Sequence, residues 1–211
     1  GLPPSDPLPL PPRPSDIADN PESLRKWKNE AHGVHSENAK IRGARAEFLQ
    51  RVSTARDLLQ YERWYLPHQA CFRTRLYPIA PDLNHHQEEC GRALMLFANR
   101  RPITAAGERW IRIHAANCYG LDKAGFDDRI QWTIDNADLI EAVAERPIEN
   151  LDGWRDADNP WLFLAACMGL TDADIGERLP VAVDGTANAW QHYAAMGRDT
   201  VGAKAVNLII D

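Results

Sequence analysis

A mainly α-helical protein with a few short β-strands, an α+β arrangement, is the fold class this sequence predicts. Three observations lead there. Residues 20–60 and 103–144 space their apolar side chains with a helical period. The β-prone runs are only three or four residues long and several abut prolines. No internal repeat of the kind that builds solenoids or propellers is present. With 211 residues, 44% of them hydrophobic, the chain has enough apolar surface for the core of one or two ordinary domains.

Bulk properties exclude some classes and leave others open. A formal net charge of -6 and a pI near 5.6 lack the basic footprint usual for a nucleic-acid-binding domain. That is a weak veto, because a binding channel needs only local basicity. The four cysteines are widely spaced with no CxxC pair, which argues against a zinc site and for reduced thiols in a cytosol-like compartment. Without a signal peptide or an apolar run long enough to cross a bilayer, a soluble intracellular protein with no membrane partner is expected.

Three regions follow from the pattern: a proline-rich strap over 1–19, a helical region over 20–170, and a final region over 171–211. The prolines of residues 1–14 remove backbone donors and favour extended geometry, so this stretch reads as a strap or linker. Asn20 caps a helix over 20–35, with Pro21 in its first turn and Glu22 complementing the helix dipole. A second helix is expected over 38–60. Phe48, Leu49, Val52, Leu58 and Leu59 form its apolar side, and Lys40, Arg42, Arg45, Arg51 and Arg56 line the other. That basic stripe reads either as a solvated face or as a phosphate-backbone contact.

Residues 63–66 and 76–79 read as short strands around the segment HQACFRTR. On an extended chain Arg73 and Arg75, two residues apart, point the same way; they suit consecutive phosphates or form an ordinary surface pair. A helix is expected from Glu88 or Glu89 to near Ala98. The adjacent His85 and His86 invite a metal reading, but consecutive side chains diverge and no carboxylate stands at a ligand spacing, so loop histidines fit better. An amphipathic helix over 103–120 carries Trp110, Ile113 and Ala116 and ends at Gly120. Another is expected over 126–144, then a tryptophan-bearing loop over 148–159 and a buried helix from Pro160 through Cys167.

The chain closes with LPVAVDGTANAWQHYAAMGRDTVGAKAVNLIID. Val181, Ala182 and Val183 read as a strand ending in Asp184, followed by Gly185, Thr186 and a helix from about Asn188 to Gly197 that brings Gln191, His192 and Arg198 near the acid. A carboxylate with the Gly185 carbonyl beside it suits a hard divalent cation, magnesium first, while a helix-capping role for Asp184 is the alternative.

The string DGTANAWQHYAAMGRDTVGAKAVNL resembles motif A of the single-subunit, bacteriophage-type DNA-directed RNA polymerases, a family that includes mitochondrial enzymes. There the pattern runs roughly DG-S/T-C-N/S-G-x-QH-Y/F, then A-x-x-RD and G-x-x-V-N-L. Upstream, Arg73, Arg75 and Tyr77 match the family's D-F/W-R-G-R-x-Y, and Arg92 falls where the family has a basic residue. The segment IHAANCYGLDK is similar to K-I-H-x-A-N-x-x-G-x-D-K. Cys71 replaces an aspartate, Thr74 a glycine and Ala189 a glycine of these patterns.

The resemblance implies a partial right-hand polymerase fold, with the helical region leading into the first palm strand and motif A in 171–211. It also implies template-directed ribonucleotidyl transfer by a two-metal mechanism with Mg2+. Asp184 would be the catalytic metal ligand together with Gly185, Lys123 the contact to the incoming triphosphate, and Arg73, Arg75 and Arg92 contacts to nucleic acid. His114 and Asn117 would be buried scaffold. The partners implied are a DNA template, the RNA product and ribonucleoside triphosphates. The family's second metal-binding aspartate, in an H-D-S segment, and its nucleotide-helix lysine lie downstream of motif A. The chain is therefore expected to be a fragment without the C-terminal polymerase portion, inactive alone. It would act in the host cytoplasm if phage-encoded, or in an organelle matrix if of the mitochondrial branch. A non-catalytic nucleic-acid-binding remnant or accessory module is the alternative, and a metal phosphohydrolase using His85, His86 and Asp184 lacks ligand spacing.

Overall fold

A 38-residue helix, α1 (Pro21–Leu58), opens the fold in the computed structural model, which describes residues 6–73, 75–183 and 187–209. Asn20 accepts from the N–H groups of Glu22 and Ser23, the cap its sequence predicts. Two helices were expected where one runs through. Nothing between 35 and 38 breaks a helix, and the Asn38 side chain is occupied elsewhere: its Oδ1 accepts from Leu8 N at 2.7 Å and its Nδ2 donates to Leu8 O at 2.9 Å. Those two bonds, with Trp27 Nε1 on Pro11 O at 3.0 Å, dock the proline segment on α1 as a strap.

Strands β1 (His68–Ala70) and β2 (Leu76–Pro78) pair antiparallel, with Gln69 opposite Tyr77. The mainly α class with short strands stands: among the described residues this pair is the only sheet. The first strand lies at 68–70 rather than 63–66. Cys71 N donates to Arg75 O at 2.8 Å and closes the tip, which sets Ala70 against Leu76 and leaves 63–66 beyond the end of a partner run limited by Pro78 and Pro81. Residues 181–183 form no strand either; among the described residues they have no pairing partner.

After β2 come α2 (Glu89–Ala93), shorter than expected, and α3 (Ala105–Tyr119). Gly120 ends α3 with a φ of 131°, a conformation side-chain-bearing residues rarely adopt. The single helix expected over 126–144 is two, α4 (Phe126–Asp135) and α5 (Ala137–Glu145). Asn136 breaks them by turning its Nδ2 onto Trp132 O at 2.8 Å, a local side-chain bond that competes with the helix. A 3₁₀ turn at Leu151–Gly153 interrupts the tryptophan-bearing loop, and α6 (Pro160–Thr171) and α7 (Ala173–Gly176) follow.

The core sits where α6 meets α3 and α5. Phe163, Ala166 and Cys167 of α6 are fully buried against Ala115 and Cys118 of α3 and Ile140 and Val143 of α5. Tyr119 joins this wall, its ring 4.5 Å from Trp132 and 5.1 Å from Phe163. Trp154 is buried, with its Nε1 bonded to Pro147 O at 2.8 Å, so the loop after α5 is pinned to the same core. On the far side of α6, a Cβ at Gly176 would lie 2.3 Å from Gly169 O, so α7 approaches α6 by its bare backbone.

Two compact units result, Gly1–Pro180 and Val181–Asp211. In the second, α8 (Asn188–Gly197) and α9 (Thr200–Ala205) form a helical pair joined at Arg198, whose φ is 50°. Gln191 Nε2 donates to Val206 O at 2.7 Å, and Asp199 caps α9 through the N–H groups of Val201 and Gly202. Among the described residues, no helix is long and apolar enough to cross a membrane.

Candidate functional site

Two loops of the first unit carry basic residues that the sequence singles out. The first is the tip of the hairpin. Phe72 stands 94% exposed there, Arg73 holds its guanidinium 5.6 Å from the Phe72 ring, and Arg75 is exposed beside them. Cys71, in the aspartate position of the family pattern, has a thiol pKa held below the usual value. The Arg75 backbone hydrogen bond is the main cause, with smaller contributions from Arg73 and the Arg75 charge. The same two arginine residues that lower the thiol are those the family pattern places beside its aspartate. Thr74 lies outside the described residues.

The hairpin is anchored below its tip. The His68 and His85 rings stack with centroids 5.1 Å apart, His86 meets His85 edge-on at 4.5 Å, and Tyr77 meets His86 edge-on at 5.8 Å. Burial, followed by the charges of the other two imidazoles, keeps His85 below the ordinary histidine value. Among the described residues, no group of three or more His, Cys, Asp and Glu side chains is placed to hold a metal ion. Buried Asn84 organises the turn after β2, accepting from His86 N at 2.8 Å and donating to Ala80 O at 2.7 Å.

From α1, Arg51 reaches Glu88, Gln87 and Glu47, each at 3.3 Å, and is buried in doing so. The expected basic stripe is therefore broken: Arg51 joins α1 to the start of α2, and Lys40 pairs with Glu37 at 3.0 Å. Arg92 also turns inward. It is half-buried, its Nε is shielded from solvent without a hydrogen-bond partner, and its charge acts on His114 and Cys118. Burial, then Arg92, lowers His114 to about 4, so this imidazole is neutral scaffold; its ring nitrogens lie 3.7 and 3.8 Å from Cys118 Sγ. Burial pushes Cys118 and Cys167 up to about 12.

The second loop, residues 121–125, joins α3 to α4. Lys123 is 91% exposed, with its Nζ 2.5 Å from Asp122 Oδ2; this bond is the first cause of the lowered Asp122 pKa. Asn117, expected as scaffold, accepts from Arg129 Nη1 at 2.7 Å. Arg129 also donates to the carbonyls of Ala124 and Asp122, at 2.9 and 2.8 Å. Sequence reasoning passed over Arg129. Its one signal was a cation in the first turn of a helix, the end where the dipole favours anions, which suggests a task outside the helix.

Asp184, Gly185 and Thr186 lie outside the described residues. Of the groups expected near Asp184, Gln191 is committed to Val206 O, Arg198 occupies the left-handed C-cap of α8, and His192 is exposed. As donors, one carboxylate and one backbone carbonyl match the hardness of magnesium and are too few to complete its shell.

The model of the DNA-dependent RNA polymerase family matches residues 101–211. Similar whole sequences include DNA-directed RNA polymerase 2, chloroplastic/mitochondrial, of Arabidopsis thaliana, 38% identical over 96% of this chain and 21% of the relative. The mitochondrial enzyme of Neurospora crassa is 37% identical over 99% of the chain and 15% of its own length. DNA-directed RNA polymerase 1, mitochondrial, of Nicotiana sylvestris is 36% identical over 96% and 21%. The chain spans about a fifth of the length of these curated relatives, or less. It belongs to the phage-type, single-subunit DNA-dependent RNA polymerase family.

Proposed function

We propose that the chain supplies the template-contacting and nucleotide-contacting part of a DNA-directed RNA polymerase that carries out template-directed ribonucleotidyl transfer. The observation that carries this reading is the exposure of the basic residues matching the family patterns at ordered loop tips, Arg73 and Arg75 on the hairpin and Lys123 after α3. These side chains stand at the surface there, whereas Arg51 is buried and Arg92 half-buried. The region over 20–170 is then the support for these contacts, and 171–211 carries the start of the palm.

In the reaction, the Lys123 ammonium neutralises part of the incoming triphosphate as it leaves Asp122. Arg73 and Arg75 hold consecutive template phosphates, with the Cys71 thiol taking the place of an acid behind them. Asp184 and the Gly185 carbonyl would hold one magnesium ion. When bound, magnesium would supply activation of the 3′-hydroxyl and charge balance on the phosphates, the chemistry of a two-metal mechanism. Asp184 is the carboxylate this chain contributes to that chemistry. The chain works wherever its template lies, in an organelle matrix or a phage host's cytoplasm; the relatives' names point to organelles.

Template binding tests the reading. The chain should bind primed DNA with a steep salt dependence, and the Arg73→Ala/Arg75→Ala double variant should lower the log–log slope by about 2, roughly 0.9 for each phosphate no longer neutralised. An unchanged slope removes the hairpin from the interface. Binding that ignores both magnesium and Asp184→Ala favours a non-catalytic nucleic-acid-binding module.

A further inference from the structure

Hydrogen bonds around the Lys123 loop converge on a single guanidinium. Arg129, in the first turns of α4, spreads three donors in three directions: Nε to Ala124 O, Nη2 to Asp122 O and Nη1 to Asn117 Oδ1. The first two acceptors are the carbonyls on either side of Lys123, and the third belongs to the last turns of α3. The Phe126 ring lies 5.2 Å from the guanidinium carbon, backing the fork from below. Asp127 and Asp128 in the same turn offset the cost of a cation at this end of a helix.

Two physical consequences follow from that geometry. A five-residue loop left to itself samples many conformations, and ordering it on a ligand costs entropy; two bonds from one planar group, anchored to α3 by the third, add to the loop's own turn bonds and remove part of that freedom beforehand. The bonded carbonyls are also anion-repelling dipoles. With their oxygens committed to Arg129, the exposed Lys123 ammonium, held beside the Asp122 carboxylate, is the cation the loop offers to an approaching polyphosphate. A lysine at position 129 carries the same charge but lacks the fixed fork that reaches three acceptors at once.

We infer that Arg129 is a positioning residue for triphosphate binding: it holds the two carbonyls flanking Lys123, and so fixes the place from which that ammonium reaches the phosphates. The inference rests on Lys123 being the triphosphate contact, and the test separates the two. The chain is titrated with a fluorescent ribonucleoside triphosphate and with the matching monophosphate, in magnesium, as wild type and as Lys123→Ala, Arg129→Ala, Arg129→Lys and Arg146→Ala. Arg146, exposed and paired with Glu149 at the end of α5, controls for loss of one positive charge.

Arg129→Ala should weaken triphosphate binding about tenfold, the scale of one charge-assisted hydrogen bond, and leave monophosphate binding unchanged. Arg129→Lys should not restore it, and Arg146→Ala should match wild type. Amides of residues 121–125 should exchange faster in both Arg129 variants while those of α3 and α6 keep their protection, which separates loop release from misfolding. Wild-type affinity in Arg129→Lys reduces Arg129 to a charge and overturns the inference. Weakening by Lys123→Ala with none by either Arg129 variant overturns it while leaving the Lys123 contact standing. Triphosphate binding that is absent in wild type, or indifferent to Lys123→Ala, overturns both.

Discussion

The two loops that present basic residues are built by opposite means. The hairpin tip is held by main-chain pairing between strands of three residues each, with a stack of imidazoles beneath it. An isolated two-stranded hairpin is marginal in water, so this one depends on the turn that α1 grips through Arg51 and through Gln50 and Thr54 on Asp82. The loop over 121–125 makes only local turn bonds on its main chain, Leu121 N to Ala116 O at 2.9 Å and Ala124 N to Leu121 O at 3.1 Å. One side chain, Arg129, adds the bonds to its carbonyls, and the loop springs from α3, one of the core helices. A strand pair fixes the path of a backbone and leaves its side chains to solvent, whereas a guanidinium clamp fixes a few carbonyls and with them the place of the side chain between. The first suits a long ligand such as a nucleic-acid strand, and the second suits a compact polyphosphate.

The largest expected effect attacks the support of the second loop. Phe163→Ala empties the place where Tyr119 and Trp132 close over α6 and should cost about 3–5 kcal/mol in urea-unfolding measurements, the range for large-to-small changes at fully buried aromatics. Loop amides should lose protection with α3, while the hairpin, resting on α1, should keep its own. Simultaneous loss in both would erase the distinction drawn between the two loops.

Acid should act on the same side of the comparison. His114 is neutral when folded because its pKa is lowered from 6.5 to about 4. The unfolded chain takes up a proton first as pH falls, so stability is intact above about 6.5 and drains away toward about 4. By linkage the loss reaches about 3 kcal/mol at most. His114→Gln should flatten that slope in urea midpoints measured across the window. An unchanged slope would mean that His114 does not set the acid sensitivity of α3.

A smaller effect concerns the hairpin. Cys71 is the half-exposed thiol with a lowered pKa, while burial raises those of Cys90, Cys118 and Cys167. Brief treatment with an alkylating reagent followed by peptide mass spectrometry should find Cys71 labelled first, and bound DNA should slow that labelling. Equal labelling of Cys118 would contradict the buried environment assigned to α3.

How much of this was legible beforehand differs from feature to feature. Asn20 as a cap, the α3 helix ended by Gly120, the buried helix after Pro160 and the helix Asn188–Gly197 follow from local chemistry and periodicity, and they appear as read. The strands were harder. An apolar run becomes a strand only if a partner lies alongside, and the turn at Cys71 and Arg75, rather than composition, decided which residues paired. The loop placement of Lys123 could be foreseen because it follows a helix of clear period, whereas Arg73 and Arg75, expected on an extended segment, stand at the tip of a hairpin whose first strand lies elsewhere than read.

The sequence by itself determined the helical class, the family resemblance and the loop on which Lys123 stands, because these rest on neighbours within a turn or two along the chain. Only the tertiary structure decided which arginines face solvent. A guanidinium on a long stem goes to whichever acceptors packing brings within reach: Gln87 and Glu88 for Arg51, the buried side of α3 for Arg92, and the Lys123 loop for Arg129. In sequence the five donors of an arginine look alike; in the fold, their partners separate a residue that binds from one that holds.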